Sequence, residues 1–163
     1  MVTLVIVLRG VTILPERKLS GMKLNQFDAQ GLYKLAIEQG ADAVIFADIE
    51  GIIQIWNASA QAMFGFPSTE ALGKSLNIII PEDLRAAHWD AFGAAIKAGR
   101  TKHDRSALTT RSMTKDGKKI YVSLSFSIIR NDQGEVLGAL ATGREVTAQY
   151  LAEKNEDRVN SST

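Results

Sequence analysis

Apolar and polar positions alternate most regularly between Lys119 and Arg130. Ile120, Val122, Leu124, Phe126 and Ile128 take one parity, and Tyr121, Ser123, Ser125 and Ser127 the other. A period of two predicts a strand with one face in a core. Before it, Lys102 to Thr114 reads as a strand, joined through Lys115-Asp116-Gly117-Lys118, a turn of the Asp-Gly hairpin kind. After it, Asn131-Asp132-Gln133-Gly134 turns the chain into a third strand, Val136 to Thr147. Upstream, the apolar runs Ala43 to Ala47 and Ile52 to Trp56 flank Asp48-Ile49-Glu50-Gly51 and predict another hairpin.

Helical spacing appears elsewhere. Phe27, Leu32, Leu35 and Ala36 predict a helix over Leu24 to Gln39, stopped by Gly40. Asn57 caps a short helix from Ala58 to Phe64, ended by Gly65-Phe66-Pro67, and Ser68-Thr69-Glu70 opens another turn of helix that stops at Gly73. After Pro81 comes a helical turn, then a longer helix from about His88 to Ala98 with Gly99 as its C-terminal stop. Helices grouped between strand hairpins predict an α+β domain built on an antiparallel sheet. The expected organisation is an N-terminal extension (1–23), a flanking helix (24–40), a central domain (41–147) and a C-terminal helix or linker (148–163). In the extension, the apolar runs Val2 to Leu8 and Val11 to Leu14 are too short to span a bilayer, which takes about 20 apolar residues. They lack the flanks of a signal peptide. A β-rich extension or poorly ordered leader is expected, and a cytoplasmic protein.

The 163 residues suit one domain with extensions. A net charge of +1 without basic blocks argues against nucleic-acid binding. The absence of cysteine excludes disulfides, thiolate metal sites and cysteinyl cofactor adducts. The chemistry therefore turns on the two histidines. On the helix after Pro81, Phe92, Ala95, Ile96 and Gly99 share the face of His88 at about 100° per residue. His88 is thus expected to point inward, where an imidazole either finds a hydrogen-bond partner or ligates a metal.

The residues Gly51, Ile53, Asn57, Ala60, Phe64-Gly65-Phe66, Glu70, Gly73, Ile80-Pro81, Lys115-Asp116-Gly117 and Gly143-Arg144-Glu145-Val146-Thr147 follow one another in an order that resembles the PAS sensor domain. The resemblance covers about residues 41 to 147 and implies a five-stranded antiparallel sheet cupping a pocket against helices. Within it, Leu84-Arg85-Ala86-Ala87-His88 resembles the haem-ligating segment of the PAS gas sensors, among them rhizobial oxygen-sensing kinases and direct oxygen-sensor phosphodiesterases. The register runs without a gap from His88 to Gly117.

That resemblance implies haem b, with His88 as proximal ligand and Ile80, Phe92, Ile96, Leu108, Leu124, Phe126 and Leu140 around it. Arg85, Arg100 and Lys102 are candidate partners for the haem propionates. Where those sensors carry a distal arginine or methionine, this chain has Leu108 and Ser106, so neither gating residue is present. His103 is a candidate sixth ligand, and Met113 a more remote one. Trp56, Phe64, Leu72 and Ile78 belong equally to any core. The expected function is a sensory module that signals a diatomic gas (O2, CO or NO) or redox state to a downstream output domain or protein. It would pair as a homodimer through its flanking helices, without nucleic acid or membrane. The alternative is a haem-free PAS module for dimerisation or small-ligand binding. No nucleophile and base pair can be named, so no enzyme is expected.

Overall fold

The computed structural model describes residues 28–102 and 106–160. Helix α1 (Ala29–Glu38) leads into a hairpin, β1 (Ala43–Asp48) and β2 (Ile53–Trp56). Two short helices follow, α2 (Ala58–Phe64) and α3 (Ser68–Ala71). Then come two 3-10 turns, Leu76–Ile78 and Glu82–Leu84, and the longer α4 (Arg85–Ala98). Strands β3 (Leu108–Met113), β4 (Lys119–Arg130) and β5 (Val136–Glu145) complete the domain, and α5 (Thr147–Asn160) leaves it. The strands form one antiparallel sheet in the order β2-β1-β5-β4-β3. This is the α+β architecture expected from the alternation pattern.

The period of two in β4 does what its sequence requires. Ile120, Val122 and Leu124 are buried on the inner face, against Ile45 and Ala47 of β1 and the ring of Phe64. Trp56 joins that core with its ring tilted on Phe64 at 5.4 Å, and its indole N–H donates to the carbonyl of Phe66. The odd positions of β4 face outward, where Tyr121 stacks on Tyr150 of α5 at 4.0 Å. Val146 N–H donates to Tyr121 O and Tyr121 N–H donates to Thr147 Oγ1, so α5 starts tied to the outer side of β4.

Asn57 shows how the first half is locked. It caps α2, its Oδ1 accepting from Ala60 N–H, as its place before an apolar helix predicts. The same oxygen accepts from Val44 N–H of β1, while Nδ2 donates to Ile37 O of α1 and to Asp42 O. At 1 % exposed, this one amide joins three elements. In the β1–β2 turn, Asp48 accepts from Ile52 N–H, Gln54 Nε2 and Glu50 N–H. Burial pushes its pKa upward, but those hydrogen bonds outweigh it and hold the carboxyl below its ordinary value.

Several boundaries differ from expectation. The first helix spans Ala29–Glu38, and residues 24–27 of the predicted helix lie outside the described residues, as do the N-terminal extension and His103. Helix α4 begins at Arg85 rather than His88, because the 3-10 turn over Glu82–Leu84 hands its axis directly on. Strand β3 begins at Leu108 rather than Lys102. Ile52 bridges Ser75 instead of opening β2. Leu72, a predicted core residue, is 44 % exposed just after α3. Among the described residues no helix is long and apolar enough to cross a membrane.

Candidate functional site

Helix α4 has no fully buried residue. The face predicted from its spacing is nonetheless the one turned inward: His88, Phe92, Ala95, Ile96 and Gly99 are half-buried, while Ala86, Ala87, Asp90, Ala91, Gly93, Ala94, Lys97 and Ala98 are exposed. The helix is held over the sheet largely at its two ends. At its start, the Arg85 guanidinium donates to Asn77 O and Ile80 O, and Trp89 Nε1 donates to Asn77 Oδ1 at 3.0 Å. The Trp89 ring lies against the turn at Gly51, where a Cβ would come within 2.3 Å of it. At the other end, Gly99 (φ 63°) closes the helix in the left-handed region that favours glycine. Arg130 at the end of β4 donates to Gly99 O and to Gly134 O, clasping that end onto the β4–β5 turn.

Between these ends lies a cavity of about 130 Å3. Leu76, Ile79, Ile80, Leu84, His88 and Phe92 form its helix side. Ile45, Ala47, Val122, Leu124, Phe126, Ala139 and Ala141 form its floor on the sheet. The imidazole of His88 stacks on Phe92 (6.0 Å, 25°) and meets Trp89 edge-on (5.0 Å, 83°). These rings fix its orientation without giving it a polar partner. His88 Nε2 is buried and makes no hydrogen bond among the described residues. Burial lowers the pKa of His88, so the neutral ring, the form able to ligate a metal, is favoured.

Of the predicted site residues, the structure brings His88, Ile80, Phe92, Leu124 and Phe126 together at this cavity. Leu108 pairs with Leu124 in register but lies beyond the cavity rim, and Ile96 lies one turn past it on α4. Leu140 is displaced to the outer face: it pairs with Ser127 and Phe46, while its neighbours Ala139 and Ala141 face inward. Arg85 is engaged by backbone carbonyls, and Arg100 and Lys102 flank the alanine side of α4, away from the cavity. The cation that does line it is Arg111 of β3, paired with Asp83 on the turn before α4. An arginine among Thr109, Thr110 and Ser112 has the sequence profile of a solvated edge strand, so only the fold reveals it.

The cavity's donor suits an iron ligand: a buried, neutral imidazole nitrogen without a partner is what a proximal ligand requires. Its present volume is smaller than the roughly 300–1,000 Å3 usual for small-molecule sites. At that volume the cavity does not hold a macrocycle unless α4 stands further from the sheet.

Comparison with known proteins agrees with the topology. The profile of the family described as the PAS fold matches residues 31–146. The oxygen sensor protein DosP of Escherichia coli is 26% identical over 139 residues, covering 84% of this chain and 17% of that protein. The sensor protein FixL of Bradyrhizobium diazoefficiens is 43% identical over 47 residues, 29% of this chain and 9% of that one. The chain thus spans less than a fifth of the length of these relatives. An RNA-binding light-oxygen-voltage receptor shares the fold at a TM-score of 0.66 and 21% identity, over 93% of this chain and 41% of the other. With its sheet order, its cupped cavity and this match over most of its length, the chain belongs to the PAS fold family and is a sensory domain of signal transduction.

Proposed function

We propose that the domain binds haem b through His88 Nε2 and reports a diatomic gas (O2, CO or NO) or the redox state of the iron to an output partner. The observation that carries this is the buried, unpartnered imidazole nitrogen at an apolar cavity. The similarity to DosP, an oxygen sensor by name, supports it. Haem would supply an iron centre with a coordination position open to small ligands. The chain supplies the rest. Phe92 and Trp89 orient the imidazole, and the Trp89–Asn77 bond anchors its helix. Leu124 and Phe126 exclude water on the sheet side. Arg111, which lines the cavity, would be a further cation able to pair with a propionate, beside the candidates Arg85, Arg100 and Lys102. His103 keeps its proposed role as a sixth-ligand candidate.

The readout runs along one strand. Leu124 and Phe126 line the cavity from the inner face of β4, and Tyr121 holds α5 from its outer face. A change at the floor therefore reaches the start of α5 within five residues. Asn57 connects the sheet to α1 in the same way. We place the homodimer contact on these flanking helices, the output domain or protein beyond α5, and the protein in the cytoplasm.

One observation favours a second reading. At about 130 Å3 the cavity already suits a small apolar ligand, as in a haem-free PAS module. The visible spectrum of the protein titrated with haem separates the two. The proposal expects a saturable Soret band that moves on reduction and with CO, and its loss in His88→Ala with an unchanged far-ultraviolet circular dichroism spectrum. Uptake retained in His88→Ala with the same spectrum overturns it.

A further inference from the structure

The buried polar side-chain atoms of the His88 cavity are acceptors. Of the two imidazole nitrogens, only Nε2 is buried without a hydrogen bond among the described residues. A neutral ring keeps its proton where it can be given away, so Nδ1 carries it and Nε2 is left as a bare acceptor. On the sheet side, β3 contributes Thr110, Arg111 and Ser112 to the lining. The hydroxyl hydrogen of Ser112 is spent on Ile79 O at 2.6 Å, which leaves its oxygen able only to accept. Arg111 is half-buried and paired with Asp83, and Thr110 is exposed, with its hydroxyl in reach of water. The other lining residues are aliphatic or aromatic.

Size narrows the occupant. One water needs about 10–15 Å3 of such space, and an engineered apolar cavity of about 150 Å3 takes up benzene. At about 130 Å3, this cavity has room for one six-membered ring. A bare acceptor shut away from water is satisfied by a ligand that brings the hydrogen. An ion would lose its hydration against a lining whose one cation is already paired. Resting on the small-ligand reading of this cavity and not on haem, we propose that it binds a neutral apolar molecule the size of a single ring that carries one hydrogen-bond donor, of the phenol class, donating to His88 Nε2.

The test is calorimetry on the full haem-free chain with phenol, toluene and pyridine. These rings are of like size and bring a donor, neither group and an acceptor, respectively. Saturable one-to-one binding of phenol is expected, tighter than that of pyridine. From wild type to His88→Leu, the ratio of phenol to toluene affinity should fall about tenfold. The ratio is read because toluene gains more than phenol simply from leaving water. In the wild type, the nitrogen NMR resonance of His88 Nε2 should move upfield with phenol and much less with toluene, a readout that needs no variant to fold. With two histidines in the chain, its assignment is direct. Binding of neither phenol nor toluene overturns the small-ligand reading, and this inference with it. Binding of both, with an unchanged ratio in His88→Leu and an unmoved resonance, keeps the small-ligand site and overturns the role given to His88. Tighter binding of pyridine than of phenol puts the proton on Nε2 and overturns the assignment of a donor to the ligand.

Discussion

The first half of the domain and the α4 half use similar residues to opposite ends. Around Asn57, every polar atom of the buried amide is bonded and Trp56, Phe64 and Ile53 are at most 3 % exposed. Around His88, the rings are half-buried, the helix contributes nothing fully buried, and the central polar atom has no hydrogen bond among the described residues. A protein interior tolerates few unsatisfied polar groups, each costing about 1–3 kcal/mol. The first half is arranged for stability; the second leaves a stabilising interaction unmade, in the place where a ligand can make it.

Substitutions in the two halves should therefore differ in size and in sign. Asn57→Ala removes four hydrogen bonds and strands buried backbone groups of α1, β1 and α2. It should destabilise the domain by about 3 kcal/mol or more, read from urea unfolding without ligand. Phe92→Ala removes a larger side chain, yet from the loosely packed half. Because a fully buried phenylalanine costs about 3–5 kcal/mol, the half-buried Phe92 should cost only about 1–2 kcal/mol. Equal losses for the two variants would erase the contrast.

The smallest effect has the opposite sign. His88→Leu replaces an unpartnered polar atom with carbon and should raise the stability of the ligand-free protein by about 1 kcal/mol while abolishing haem uptake. It should also remove a pH dependence. Burial lowers the pKa of His88 below its ordinary 6.5, so the unfolded chain takes up the proton first. The associated stability is present above about pH 6.5 and declines as the pH falls from there towards the folded pKa. Unfolding midpoints across that range should fall for the wild type and lose this component in His88→Leu. Destabilisation by His88→Leu at neutral pH would mean that the imidazole has a partner after all.

The strand pattern was legible from the chain because β4 obeys a strict period of two, and the face of α4 because His88, Phe92, Ala95, Ile96 and Gly99 obey the helical one. Cap chemistry was legible at Asn57, but its bonds to Ile37, Asp42 and Val44 join segments distant in sequence and depend on tertiary packing. Size misled at β5. Leu140 invites an inward assignment, yet the small Ala139 and Ala141 take that face, and their small side chains leave room for the cavity. Arg111 was missed because its polar neighbours match a solvent-facing edge, and its approach to Asp83 depends on how α4 is docked.

The chain carries two tryptophans, one in each half. Trp56 is sealed against Phe64, and Trp89 leans on the imidazole of His88 with its indole bound to Asn77. The protein thus contains two tryptophan fluorophores, selectable over its tyrosines by excitation wavelength, one in the frame and one on α4. With Trp56 replaced by phenylalanine, tryptophan emission reports α4; with Trp89 replaced, it reports the frame. The motion of one half relative to the other becomes an optical signal that needs no label.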